Sequence, residues 1–241
     1  MLPANAKPFR IPLAAAAVHA YTASGAVLAF VGIRAVFAGD VRLAFAMMFV
    51  ATIIDSTDGV LARAARVKET LPSVDGARID DIVDYLTFVV LPMLLLDRFG
   101  FLPSSIALLI VAMVLLSSAY GFSSSDAKTT DHFFTGFPSY WNIVALYLYV
   151  FAVPPPASAV IVILLSVLVF VRIGYVYPSR TPVLRGLTVT FGSAWAVLIG
   201  ALICWLPSPP RWLAIASLAF PVYYTVLSLV LHARRRPVLT G

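Results

Sequence analysis

The sequence carries one cysteine, Cys204, in 241 residues, so no disulfide can close within the chain. Histidine is nearly as scarce, at three residues. Neither residue type occurs between Asp55 and Asp84, where most of the acidic side chains are found, so zinc has no soft or imidazole donors there. Charge of either sign is rare: 12% of residues are charged against 61% hydrophobic, and the mean hydropathy is +0.96. A soluble domain of this length exposes far more charge, so the composition excludes that class and indicates an integral membrane protein. Long linkers, internal repeats and low-complexity blocks are also missing, which predicts one membrane domain over residues 1–241. No cleavable leader is evident, because the first apolar run is too long for a signal's apolar region and no convincing cleavage site ends it. The net charge of +6 does not call for nucleic acid; in so apolar a chain it reports basic loops facing the cytosol.

What the chain does contain is a series of apolar runs. A helix crossing the hydrocarbon core needs about 20 mostly apolar residues. By that measure the candidates are roughly 12–38, 41–66, 76–97, 102–122, 138–152, 158–178, 182–206 and 211–232, the fifth being short. The expected fold is an all-α, polytopic transmembrane helix bundle of about eight spans, an even number that puts both termini on one side. With the N-terminus in the cytosol, Lys7, Arg10, Arg63, Arg66, Lys68, Arg78, Lys128, Arg172, Arg180, Arg185, Arg234, Arg235 and Arg236 fall on or near the inner side. Arg34, Arg42, Arg98 and Arg211 fall outside. That bias follows the positive-inside rule and sets the acidic stretch at the cytosolic face.

Asp55 and Asp58 are spaced i, i+3 near the inner end of the second predicted helix, and Asp80 and Asp84 are spaced i, i+4 near the start of the third. Each pair shares a helix face, and a short connection lets the two faces converge. Four hard oxygen donors suit Mg²⁺ or Mn²⁺. An aspartate at mid-bilayer costs roughly 2.5–3.5 kcal/mol on insertion scales. Four clustered carboxylates also repel, so one or two divalent ions together with Arg63 are the expected compensation. Gly59 and Gly76 sit beside the carboxylates, where glycine costs about 1 kcal/mol against alanine in a helix; both suggest room for a ligand's close approach, with the end of the loop as the other account of Gly76. For Glu69, Asp75 and Asp81, a charge at a helix end that marks only the membrane interface is the alternative account.

The segment "DSTDGVLAR", followed twelve residues later by "GARIDDIVD", resembles the signature of the CDP-alcohol phosphotransferases: Asp55-x₂-Asp58-Gly59-x₂-Ala62-Arg63-x₁₂-Gly76-x₃-Asp80-x₃-Asp84. Most of that family has eight residues between the arginine and the second glycine. The interval of twelve is similar to the bacterial phosphatidylcholine synthase branch, as are "KETLPSVDGARIDDIVDYLT" and "DHFFTGFPSYWN". The resemblance implies transfer of the phosphatidyl group of CDP-diacylglycerol to choline, with release of CMP, by a homodimer in the bacterial inner membrane. It implies that Asp55, Asp58, Asp80 and Asp84 hold two divalent cations, that Asp84 is the general base, and that Gly59, Ala62, Arg63 and Gly76, with Asp58, form the nucleotide pocket. Thr22 is a further candidate there, although a threonine inside a helix also bonds its own backbone. Lys128, Arg172 and Arg180 are candidates for lipid phosphate, with positive-inside topology as the plainer account. Choline, which has no N–H to donate, is usually held against aromatic faces. The inner side offers Tyr21, Tyr85, Tyr120, Phe122, Tyr140, Trp141, Tyr175 and Tyr177, of which Tyr120, Tyr140 and Trp141 are the chosen candidates. His19 reads as a polar residue inside the bundle rather than a metal ligand.

Three rival readings are weaker. Serine as acceptor would demand an extra cation for its carboxylate. An intramembrane prenyltransferase would carry two aspartate motifs far apart in the chain. A cation transporter would place acidic residues at several depths, whereas predicted spans four to eight contain none.

Overall fold

The computed structural model describes residues 12–124, 126–127, 129, 131, 133–178 and 180–234. Lys7, Arg10, Lys128, His132, Arg235 and Arg236 lie outside the described residues.

Helix α1 (Leu13–Ala38) and helix α2 (Val41–Ala64) form an antiparallel hairpin. The turn between them is short because Gly39 takes a left-handed conformation, φ 78°, and Asp40 caps α2 by accepting from the Leu43 amide at 2.9 Å. Along α1 the buried residues include His19, Thr22, Gly25, Ala29, Gly32 and Ala35, at steps of three and four, so one narrow face is covered. That face is made mostly of small side chains, and it receives the third predicted helical stretch. A Cβ on Gly25 would stand 2.4 Å from Val83 Cγ1, and one on Gly32 would stand 2.5 Å from Leu91 Cδ2. Close backbone approach through small residues is how helices associate in lipid, where no hydrophobic drive distinguishes a neighbour from an acyl chain.

The third stretch runs without a break from α4 (Gly76–Asp84) through a π-helical turn, Tyr85–Val90, into α5 (Leu91–Arg98). Pro92 explains the wide turn, since it has no amide to donate back along the helix. Between α2 and α4 lies a short helix, α3 (Val67–Thr70). The remaining elements are α6 (Ala107–Ser123), strand β1 (Phe133–Thr135), α7 (Trp141–Val150), α8 (Pro155–Leu168), strand β2 (Gly174–Val176), α9 (Arg185–Cys204), α10 (Arg211–Ser217) and α11 (Ala219–Arg234). The main core gathers Phe45, Met48, Leu91, Leu96, Ile110 and Leu202 between α2, α5, α6 and α9. Arg42 ties the start of α2 to the end of α9, donating from Nε to the Leu206 carbonyl at 2.9 Å and from Nη2 to the same oxygen.

Helices occupy all eight predicted stretches, and the fold is mainly helical. Among the described residues, four segments are long and apolar enough to cross a membrane: Leu13–Ala38, Val41–Ala64, Arg185–Cys204 and Arg211–Arg234. Their outward faces expose Val27 and Phe30 on α1, Val197 on α9 and Val222 on α11, as lipid contact requires. This is the architecture of a multi-pass membrane protein. The sixth predicted span is corrected, because its helix ends at Leu168 and the chain then forms β2, which pairs antiparallel with β1 (Phe133↔Val176, Thr135↔Gly174). The all-α expectation missed this two-stranded ribbon, whose strands are too short to show a period of two.

Replacing Gly25 by alanine should drive its methyl into Val83, which is β-branched and has little rotamer freedom to yield. Overpacking of this kind costs about 1–3 kcal/mol. A lower unfolding temperature of the purified protein in detergent is expected despite alanine's better helix propensity, and an unchanged one would mean that α1 and α4 are not in this contact.

Candidate active site

The connection between α2 and α4 decides where the carboxylates meet. After α2 the chain reverses at Arg66, whose φ is 47°, and α3 folds Val67 and Leu71 against Ala15 and Val18 of α1 and Ala62 and Ala65 at the end of α2. The twelve residues between Arg63 and Gly76 are therefore a folded clip. At its end Asp75 caps α4, accepting from the amides of Ala77 at 3.1 Å and Arg78 at 3.4 Å. Its exposed ion pair with Arg78 adds little. Asp75 thus has a structural role as the cap of α4.

With α4 so placed, Asp80 and Asp84 face Asp55. One carboxylate oxygen from each lies within 4.8 Å of the others, and all three residues are half-buried. Donors around Mg²⁺ sit at about 2.0–2.1 Å, so neighbouring ligands are about 3 Å apart. Small side-chain rotations close that gap, and an all-carboxylate donor set fits a hard divalent ion.

Asp58 behaves differently from the other three. It is buried, and the Thr22 hydroxyl donates to its Oδ2 at 2.8 Å while making only a longer bond, 3.4 Å, to the Val18 carbonyl. Helical spacing alone put Asp55 and Asp58 on one face, but α1 intervenes and orients Asp58 through Thr22. Gly59 lies under Arg63, whose Nη1 would be 3.4 Å from a Cβ at that position. The exposed guanidinium thus folds back one turn toward Asp58. Gly76 packs against His19, whose Cε1 would be 2.9 Å from an added Cβ.

No protein-family model matches the chain. The phosphatidylcholine synthase of Rhizobium meliloti is 33% identical over 227 residues, covering 92% of this chain and 94% of the relative. That of Pseudomonas aeruginosa is 36% identical over 191 residues, covering 79% and 80%. The chain belongs to the bacterial phosphatidylcholine synthase family. The match to the Legionella bozemanae synthase is 49% identical over 135 residues, 56% of this chain, and spans only 62% of that relative; the match to the Legionella pneumophila synthase spans 64% of it.

The aromatic residues of this synthase-family chain divide sharply. Trp141 is fully buried, its indole N–H donating to Ser118 Oγ at 2.8 Å and its ring against Phe137, so it has no face left for a ligand. Burial of a whole aromatic ring is not legible from its place in "GFPSYWN". Tyr120 is 58% exposed on α6, with its ring on Phe170. Tyr140 does lie near the carboxylates. Two residues on, the Asn142 amide donates to Thr52 Oγ1 at 3.0 Å, fastening the start of α7 to α2 one turn before Asp55. The Tyr140 hydroxyl lies on the side of Tyr224, near enough to Asp55 and Asp84 to feel their charges. Tyr224 stands 6.3 Å from Tyr140 and 6.4 Å from Tyr175, ring centre to ring centre. Nothing in the sequence of α11 distinguishes Tyr224 from its neighbour Tyr223.

The basic candidates stay on the surface. Arg180 lies 5.4 Å over the Tyr177 ring, and Arg172 makes an exposed ion pair with Asp126 at 3.7 Å. A cavity of about 440 Å³ between α2, α7, α9 and α11 starts at Ser56 and Thr57, beside Asp55, and continues between Phe49, Trp195 and Ile199.

Thr22→Val keeps the shape of the side chain and removes the donor to Asp58. Hydrogen bonds to charged groups contribute about 1.5–3 kcal/mol, so stability should fall by about that amount. The loss should shrink when Asp58→Asn is already present, which a double-mutant cycle on unfolding in detergent measures.

Proposed function

We propose that this protein transfers the phosphatidyl group of CDP-diacylglycerol to choline, giving phosphatidylcholine and CMP. The observation that carries the reading is the convergence of Asp55, Asp80 and Asp84 in a chain that is 33% identical, over 92% of its length, to a protein named phosphatidylcholine synthase. The donor set suits Mn²⁺ or Mg²⁺, and two ions with Asp58 as a further ligand follow from the signature. Bound there, the ions would neutralise the pyrophosphate and the departing CMP.

The chain's own groups do the rest. Asp84 takes the proton of the choline hydroxyl while that oxygen bonds to phosphorus and the bond from phosphorus to the CMP oxygen breaks. A carboxylate is too weak a base to ionise a free alcohol first, so proton transfer and bond formation coincide. Gly59, Ala62 and Gly76 leave space for the nucleotide, and Arg63, folded over Gly59, is positioned to meet its phosphates. Thr22 acts by orienting Asp58. Tyr140 and Tyr224 offer aromatic surface beside Asp55 and Asp84, where a quaternary ammonium gains from both ring faces and negative charge. The cavity beside Ser56 accommodates apolar chain of the lipid donor. Arg172 and Arg180 are the described basic candidates for lipid phosphate.

In the membrane we assign eight spans, with both termini and the site on the cytosolic side of the bacterial inner membrane. The eight helical stretches and the distribution of lysine and arginine support this orientation. A homodimer follows from the resemblance.

Purified protein supplied with CDP-diacylglycerol, Mn²⁺ and labelled choline or serine tests the reaction. Labelled lipid and CMP are expected from choline and are lost on chelation; label from serine alone would falsify the choice of acceptor. Asp84→Asn should lower kcat by about 10²–10⁴-fold while membrane insertion is retained. Tyr140→Ala should raise the KM for choline and leave that for CDP-diacylglycerol nearly unchanged.

A further inference from the structure

We propose that His19 contacts the base of the nucleotide carried by the lipid donor and makes the site select cytosine over uracil. His19 has this role only if the site takes a CDP-activated lipid, as proposed above.

His19 lies on the same face of α1 as Thr22, one turn toward the N-terminus, and is 9% exposed. Its Nε2 has no hydrogen-bond partner, the one such buried side-chain polar atom among the described residues. Buried polar groups are nearly always satisfied, and those that are not call for an explanation. A ligand that arrives with the missing partner supplies one.

Its position says which part of the ligand that is. The Cε1–Nδ1 edge of the imidazole rests on Gly76, where a Cβ would come within 2.9 and 3.2 Å of those atoms. Gly76 is the first residue of α4, four residues before Asp80 and eight before Asp84. At about 1.5 Å per residue, the imidazole stands about 6 Å from the level of Asp80 and about 12 Å from that of Asp84, along the helix toward the clip. A nucleotide whose phosphates lie among the carboxylates, and which extends toward the start of α4, brings its base to this level. Any side chain on residue 76 would push the ring out of its place, so Gly76 serves the imidazole as well as the ligand.

Each tautomer matches one position of the cytosine edge, and the ring selects cytosine as long as it keeps that tautomer. A neutral imidazole presents at Nε2 either one N–H or one lone pair. A cytosine edge offers an amino group to the lone pair, and a ring nitrogen or carbonyl oxygen to the N–H. Uracil replaces the amino group by a carbonyl and the ring nitrogen by an N–H, so at those two positions the pairing reverses sign. Nε2 is closed to solvent, and on the same helix Ala15 and Val18 pack against Val67 and Leu71 of the clip. The base therefore enters as the clip parts from α1.

The test is binding of CMP and of UMP, each with Mn²⁺, to the full-length protein in detergent, measured by calorimetry without choline. The wild type should prefer CMP. His19→Met fills the same volume without a polar atom; it should bind CMP about tenfold more weakly, bring CMP and UMP close to parity, and unfold at the same or a higher temperature without ligand. His19→Gln, which again presents a donor and an acceptor, should recover part of the preference. Equal losses for both nucleotides would move the contact to ribose or phosphate and overturn the reading of the base. Unchanged CMP binding in His19→Met overturns the contact altogether. A wild type that binds no CMP removes the proposed reaction as well, whereas failure with choline alone leaves His19 untouched.

Discussion

Three carboxylate oxygens within 4.8 Å repel one another, and near an apolar medium that repulsion is poorly screened. The bundle holds them together by construction at some distance from the charges. The small-residue face of α1 lets α4 approach to backbone contact. The clip between α2 and α4 sets where along that face α4 begins, and Asp75 caps it there. Thr22 reaches from α1 to orient the buried Asp58 carboxylate. Each device acts through protein contacts alone.

The spacing of Asp80 and Asp84 was sufficient to put both on one helix face, because helical periodicity survives a tilt or bend, and the shortness of the connection to α2 was what brought that face toward Asp55. The eight helical stretches were equally legible from apolar length. What could not be read was every feature that depends on a third element. Asp58 shares a helical face with Asp55, yet its partner comes from α1. Trp141 and Tyr140 are neighbours in the chain, but one ring is sealed against Ser118 and Phe137 while the other turns to Tyr224. The β1–β2 ribbon joins segments about forty residues apart, each three residues long, and no local pattern announces such a pairing.

Polar fasteners do much of the ordering in the half of the molecule that carries the aromatic residues. Asn142 to Thr52, Trp141 and Ser139 to Ser118, and Tyr147 to Ser217 each cross between helices. Such bonds are individually modest in membranes, about 0.6 kcal/mol on average, but they are directional. In a core of leucine and methionine, direction is what fixes a rotation about the helix axis, and hence which ring faces the carboxylates.

The unequal lengths of the helices have a consequence for the bilayer itself. Helix α1 has 26 residues and α2 has 24, but α7 has 10 and α8 has 14. At 1.5 Å per residue the last two reach about 15 and about 21 Å, against a hydrocarbon thickness of about 30 Å. Helix α7 has no exposed residue and is enclosed by its neighbours, so its shortness is met by protein and not by lipid. Helix α8 does expose Val160 and Leu164, and a bilayer that meets them thins toward the short helix at a cost of fractions of a kcal/mol per Å. The mismatch is thus confined to one flank of the bundle.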